Sequence, residues 1–409
     1  MKRSIVITLT LAKSSAFLLP VERNRFRRLT ASSSKPSQQS FCESIEQFTP
    51  PEIELQRTWF TSFGMSPPEP PRTGFSSKNK VSSKEKLFCK APPDGFVKSV
   101  RTVEKKDSFN AEDLAMLGVC ARNVVDTEIA ETGAILFRGL PMRNAEDFST
   151  FWRGYLDTQP ALTEGRYTSM GPATGRDKLS GIDLATNVPP QFPLLCHNEM
   201  CYNPTTVGCI ALYCVQDAKE GGETILARNR ELGLPKKAIK FLDDHGGIKY
   251  VREYYNAIHP PENSTPGQLG SWQAKCGLDP TSASKADAED YWFSLGFNSS
   301  HVEWTDEGEL RVSNFHPGYI VDSSTGKPSW WNIAHTGSVV AGDGTPFPKK
   351  MVADIQTKGW EKTYAFKLLP GDWLMLDNLR LQHGRLPYLA DPLQKRCLLT
   401  VYSNPIPAC

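Results

Sequence analysis

The 409-residue chain has no CxxC pair, no run of about 18 uncharged apolar residues, no internal repeat and no excess of either charge. Its ten cysteines are scattered, at 42, 89, 120, 196, 201, 209, 214, 276, 397 and 409. That excludes a compact disulfide framework and fits a reducing compartment for the mature protein. Without a long apolar run, no membrane-spanning helix is expected. The 47 basic residues stand against 45 acidic ones, and no basic stripe with interleaved aromatics runs through the C-terminal three-quarters. Nucleic acid is therefore not expected as a partner. Acid is scarce in one place: the first 40 residues hold eight Lys/Arg and Glu22 alone.

That acid-poor end reads as a leader. "MKRSIVITLTLAKSSAFLLP" joins two basic residues to a short apolar stretch, Ile5 to Ala12, and then to small residues at a cleavage point. The Arg- and Ser-rich "FLLPVERNRFRRLTASSSKPSQQS" that follows has transit-peptide composition. In series, joined at "SSAF", a signal-like segment (1–16) and a transit-like one resemble the bipartite plastid leaders of algae with complex plastids. A plain secretory signal followed by a disordered tail is the alternative. The Pro-, Ser- and Lys-rich stretch 65–86 cannot bury enough apolar surface to fold by itself, so 17–90 reads as transit peptide and low-complexity linker, and 91–409 as the working domain.

Within that domain Asn110 is set to cap a helix, "AEDLAMLGVCARNVV", and "AEDFSTFWRGYL" carries Phe148, Phe151, Trp152 and Tyr155 at the spacing of a core-facing stripe. "PKKAIKFLDDHGG", "ASKADAEDYWFSLG" and "PKKMVADIQTKG" are further helices. Short strand-like runs dominate elsewhere: "GAILFRGL", then "TTVGCIALYCV", "GETILA", "GGIKYVREYY", "HVEWT", "ELRVSNF", "YAFKLL", "WLMLDN" and "CLLTVYS". Many short strands closed by Gly and Pro turns, with helices that do not alternate with them, predict a mainly β protein with flanking helices (α+β) and a double-stranded β-helix, or jelly-roll, core.

"LLCHNEMCY", residues 194–202, sets a histidine and a glutamate two apart in an apolar run. In an extended strand His197 and Glu199 share a face while Cys196, Asn198 and Met200 take the other. Cys196 and Cys201 read as small fillers of a buried strand. A mononuclear iron centre of the facial-triad kind needs two histidines and one carboxylate, with three positions left open. The third ligand must come from His245, His259, His301, His316, His335 or His383. His245 sits at a helix end, His259 precedes two prolines, and His301, His316 and His335 lack a partner pattern. His383 follows a turn and an apolar strand, "GDWLMLDN", and precedes "GRLPY".

Five elements in order, "CHNEM" (196–200), "GGET" (221–224), "GDWLMLDN" (371–378), "HGRLPY" (383–388) and Arg396, resemble the TauD/TfdA family of iron(II), 2-oxoglutarate-dependent dioxygenases. Glu in place of Asp is similar to the clavaminate synthase-like branch, as are "GAILFRGLP", "HGGIKYVREY", "GSWQAKCGLD", "VEWTDEGEL" and "WWNIAHTG". The resemblance implies Fe(II) held by His197, Glu199 and His383. It implies 2-oxoglutarate as cosubstrate, its distal carboxylate held by Arg396 through two parallel bonds and by the Thr224 hydroxyl. Arg385 is a further candidate for contact with cosubstrate or substrate, or for a structural salt bridge. The reaction implied consumes O2 and 2-oxoglutarate, releases succinate and CO2, and oxidises an unactivated C–H bond of a small organic substrate. Hydroxylation is its default outcome; halogenation is not expected, because related halogenases lack the carboxylate that Glu199 supplies.

Two other readings use the same side chains: a zinc hydrolase with a metal-bound water, and a jelly-roll metal-binding protein without turnover. The stretch 258–298 is placed where a lid could cover the site, and Asn187, ten residues before His197, is a candidate to face it.

Fusing residues 1–60 to a fluorescent reporter is expected to deliver the reporter to the plastid; its appearance in the secreted fraction would establish the secretory alternative.

Overall fold

A computed structural model describes residues 109–156, 176–191, 193–232, 234–261, 270–321, 326–331 and 339–407, with Met170 and the short stretches 53–55, 87–89, 92–93 and 95–101. The signal-like segment and most of the stretch read as transit peptide and linker lie outside the described residues. Within that stretch Ile53–Leu55 and Leu87–Cys89 nonetheless pair as antiparallel strands.

Two sheets form the framework. The larger has the order Lys98–Arg101, Ala134–Arg138, Trp373–Asp377, Thr205–Gln216, Cys397–Pro407, Ile182–Leu184 and Lys178–Leu179. All its pairings are antiparallel except the first. The smaller has the order Tyr364–Phe366, Thr224–Arg228, Leu381–Arg385 and Leu194–His197, antiparallel throughout. From Thr205 the chain passes from large sheet to small, and from Tyr364 it alternates small, large, small, large. Such alternation is the double-sheet arrangement the strand pattern predicts. Leu136, Ile210, Leu212, Leu226, Phe366, Leu374 and Leu398 fill one shared cluster drawn from both sheets.

The turn before Trp373 shows how motif residues serve the fold. Asp372 is buried and accepts bonds from Arg138, 2.6 Å from Nη2 and 2.9 Å from Nε, and from the Leu369 amide at 2.8 Å. A buried carboxylate is tolerated when charge-paired and hydrogen-bonded. The Asp of "GDWLMLDN" thus locks its strand to that of "GAILFRGL".

Two helices cover the outer face of the large sheet. Ala111–Thr132, longer than its sequence signal, starts with a reciprocal cap between Asn110 and Asp113 and ends at Gly133 in the left-handed region. Ala145–Leu156 buries Phe148, Phe151, Trp152 and Tyr155, as its spacing predicts. Trp373 meets Phe137, Phe151 and Tyr155 beneath them. The helices touch backbone to backbone: a Cβ on Gly118 would collide with the Phe151 carbonyl oxygen, and one on Gly154 with that of Ala115.

A second four-stranded sheet, Val302–Trp304, Leu310–His316, Ile248–Tyr254 and Val339–Ala341, packs in an aromatic-rich core that it shares with Cys196, Ile225, Ala227 and Ala365 of the small sheet. The 258–298 stretch belongs to that core in its described part. It contains the helices Trp272–Cys276 and Lys285–Ser294, and Trp272 and Trp292 are buried against Trp304, Tyr254 and Phe297. Among the described residues no helix is long and apolar enough to cross a membrane.

Gly118→Ala forces the two helices apart and is expected to cost about 1–3 kcal/mol. The measurement is a lower denaturant midpoint at unchanged slope; an unchanged midpoint would show that the helices separate freely.

Candidate metal centre and cosubstrate cavity

Leu194–His197 lies at the edge of the small sheet and pairs with Leu381–Arg385 in a register that sets His197 directly opposite His383. Opposed residues of an antiparallel pair project to the same face, so the imidazoles lie side by side, ring centroids 4.6 Å apart. The pairing bulges between His383 and Arg385. Gly384 occupies the bulge, where a Cβ would strike the Leu194 carbonyl oxygen.

Glu199 reaches the same place by another route than strand alternation. The strand ends at His197, and Asn198 to Cys201 form a tight turn in which Met200 adopts φ 53°. A left-handed non-glycine residue persists only where its surroundings hold it. Asn378, fully buried, does the holding. Its Oδ1 accepts from the Glu199 amide at 2.7 Å, and its Nδ2 donates to the carbonyl oxygens of Glu199 at 2.9 Å and Val207 at 2.8 Å. Asn198 returns the contact, donating to the Asn378 and Leu381 carbonyls at 2.6 and 3.1 Å, and the Thr206 hydroxyl donates to Glu199 O at 2.8 Å.

Glu199 Oε2 therefore sits 3.6 Å from His197 Nε2 and 3.4 Å from His383 Nε2. These are the only three His, Cys, Asp or Glu ligand atoms among the described residues that gather so, all within 4.8 Å of one another. Glu199 and His383 are buried, and His197 is half-buried. His197 Nδ1 lies 2.8 Å from the Leu195 carbonyl, which can only accept, so Nδ1 carries the proton and Nε2 offers its lone pair to the centre. Glu199 Oε1 accepts from Arg176 Nη2 at 2.9 Å. Burial would push the Glu199 carboxyl up, but Arg176 and then the two imidazoles outweigh it and hold it well below the usual carboxylate range. For His383, burial pushes the imidazole down, favouring the neutral ligand form. For His197, burial works the same way, yet the Glu199 carboxylate wins and raises it. With both imidazoles neutral and the carboxylate ionised, the three atoms could hold one divalent ion of the iron kind.

The three atoms open onto a cavity of about 200 Å³. Thr224 and Arg396 line it, as do Arg176, Arg385 and the apolar Leu194, Leu212 and Leu398. "GGET" explains how Arg396 gets there. Gly221 and Gly222 both have φ 76°, a Cβ on Gly221 would collide with the Pro387 carbonyl oxygen, and one on Gly222 would come within 3.0 Å of Arg396 Nε. The guanidinium stacks over Tyr388, 5.6 Å from the ring centroid, and its buried Nε has no hydrogen-bond partner among the described residues. A guanidinium in the wall of a cavity suits an anionic guest. Arg385 lies in the same wall, and its Nη1 and Nη2 donate to the Val188 and Pro189 carbonyls at 3.1 and 2.9 Å, which ties it to the neighbouring loop.

Of the remaining histidines, three have other partners. His245 ends its helix and faces Asp343 at 2.8 Å, His301 accepts from the Asn298 amide, and His316 is buried against Tyr250 and Trp331. His259 is exposed and His335 lies outside the described residues. Cys196 and Cys201 are buried, as fillers should be. Asn187 is exposed and accepts from the Asp177 amide, while its neighbour Thr186 faces the cavity; no described residue of 258–298 does. Sequence reasoning missed Arg176, which lies in no motif, and the role of Asn378, whose motif it did notice.

A double-sheet barrel enclosing two imidazoles, one carboxylate and a cationic cavity defines a jelly-roll metalloenzyme with a single metal position. Residues 99–402 match the family described as taurine catabolism dioxygenase TauD, TfdA family, and the chain belongs to it: it is a non-haem iron, 2-oxoglutarate-dependent dioxygenase. Similar proteins include a clavaminate synthase-like protein of Arabidopsis thaliana, 28% identical over 287 residues, covering 65% of this chain and 81% of that one. The dapdiamide synthesis protein DdaC of Enterobacter agglomerans is 24% identical over 290 residues, covering 64% and 81%. The solved taurine dioxygenase of Burkholderia xenovorans aligns with a TM-score of 0.40 at 13% identity, covering 76% and 88%. Family membership sets aside the zinc hydrolase reading.

Asn378→Asp keeps the acceptor for the Glu199 amide but turns a carboxylate oxygen toward two buried carbonyls. A cost of about 1–3 kcal/mol in unfolding free energy is expected, together with weaker iron retention on gel filtration; unaltered iron retention would show that the turn holds its shape without Asn378.

Proposed function

We propose that the enzyme oxidises, by hydroxylation in the default case, an unactivated C–H bond of a small organic substrate, at an iron(II) ligated by His197, Glu199 and His383, while 2-oxoglutarate is converted to succinate and CO2. The observation that carries this reading is the shared cavity: His197, Glu199, His383, Thr224 and Arg396 line one space.

When bound, the iron supplies the oxygen activation that no side chain provides. The chain's own groups bind and orient. Leu195 fixes the tautomer of His197, and Asn378 fixes the backbone of Glu199. Arg396 would hold the distal carboxylate of 2-oxoglutarate through its planar fork, with the Thr224 hydroxyl as a further donor. Arg385, bound to Val188 and Pro189, shapes the loop that carries Thr186. Leu194, Leu212 and Leu398 keep the space apolar, which strengthens every charge interaction inside it. The substrate enters beside guanidinium groups, an environment suited to a carboxylate or another anion.

The test is succinate formation by the purified full chain. Slow, iron-dependent conversion of 2-oxoglutarate is expected without added substrate, rising with the true substrate in a screen of metabolite extracts. His197→Ala should abolish it, whereas Arg396→Ala should raise the 2-oxoglutarate requirement by about 10-fold or more while iron stays bound. Turnover undiminished in His197→Ala would end the assignment, and absence of turnover in the iron-loaded protein would leave a binding module.

A further inference from the structure

Arg176 touches the proposed ligand set at one atom. Its Nη2 donates to Glu199 Oε1 at 2.9 Å, whereas the oxygen that faces both imidazoles is Oε2. Arg176 is itself anchored: Nη1 donates to the Tyr402 hydroxyl, and the guanidinium lies 5.6 Å from that ring's centroid. Tyr402 is buried on Cys397–Pro407, in the middle of the large sheet, opposite Ile210. The carboxylate is thus fixed from two sides, its backbone by Asn378 and its outer oxygen by a cation rooted in the opposing sheet.

A carboxylate can bind a metal through one oxygen or both. The difference matters here because a six-coordinate ion with three protein donor atoms has three places left. A 2-oxo acid chelate would take two and dioxygen the third, so a second bond from Glu199 would leave one guest without a position. A charge-assisted hydrogen bond to Oε1 engages that oxygen and orients it away from the imidazole nitrogens.

We propose that Arg176 is a positioning residue that confines Glu199 to metal binding through Oε2 alone and so keeps open the coordination position that Oε1 would take. The proposal rests on reading His197, Glu199 and His383 as the iron ligands.

The experiment is anaerobic loading of the full-length protein with iron(II), bound iron being counted with a chromogenic chelator, followed by titration with 2-oxoglutarate. The readout is the visible charge-transfer absorption that an iron(II) chelate of a 2-oxo acid gives. Arg176→Met is expected to retain iron while the half-saturating 2-oxoglutarate concentration rises by about 10-fold or more, or the band is lost. Arg176→Lys, which keeps a cationic donor, restores part of it. Tyr402→Phe removes only the anchor of Arg176 and raises the requirement by a smaller factor; it also keeps the comparison open if Arg176→Met does not fold. Wild-type titration curves in both Arg176→Met and Tyr402→Phe would overturn the proposal, as would loss of iron from folded Arg176→Met, since Glu199 is then supposed to grip more atoms of the metal's shell. A wild-type protein that binds no iron would instead overturn the ligand assignment itself.

Discussion

The antiparallel register between Leu194–His197 and Leu381–Arg385 is the constraint on which the rest of the site depends. It sets His383 opposite His197 across an edge of the small sheet, and side chains facing each other across such a pair have no choice but to meet. A slip of one residue in either strand would turn one of the rings to the other face. Gly384 makes the register possible by removing the Cβ that would strike Leu194, and the bulge beside it sends the chain toward Arg385 and the loop that ends at Arg396.

Around that pair the molecule arranges two kinds of restraint. Neutral hydrogen bonds shape the backbone: Asn378, Asn198 and Thr206 hold a turn that contains a left-handed methionine. Charge then disposes the side chains. Arg176, anchored on Tyr402 of the opposing sheet, engages the outer oxygen of Glu199, and Arg396 reaches the cavity past two glycines. The same burial that would discourage ionisation of Glu199 makes its pairing with Arg176 stronger, and the pairing prevails.

Much of this was legible before any coordinates. Strand periodicity and Gly/Pro punctuation located Thr205–Gln216, Leu310–His316 and Trp373–Asp377 closely, and the Phe148-to-Tyr155 stripe faces the core as spaced. His197 and Glu199 stand out as a pair in the sequence, but strand alternation does not bring them together: Glu199 lies beyond the strand end. The 258–298 stretch reads as a loop-rich lid from its Gly, Pro and Ser, and in its described part Trp272 and Trp292 are buried in the shared aromatic core. Arg176 gave no signal, because it sits in an irregular segment 23 residues from its carboxylate and no local pattern marks such a contact.

Sequence by itself determined the residue types and their order: a His-x-Glu pair, a later histidine, an arginine thirteen residues on, and strands enough for two sheets. It could do so because turn chemistry and apolar periodicity are local properties of the chain. Tertiary structure alone decided how His383 meets His197, which oxygen of Glu199 faces the imidazoles, and that Arg176, Asn378 and Tyr402 serve the same carboxylate. Those choices join segments from opposite sheets, and contacts of that range are fixed by strand register and packing, which no stretch of sequence contains on its own.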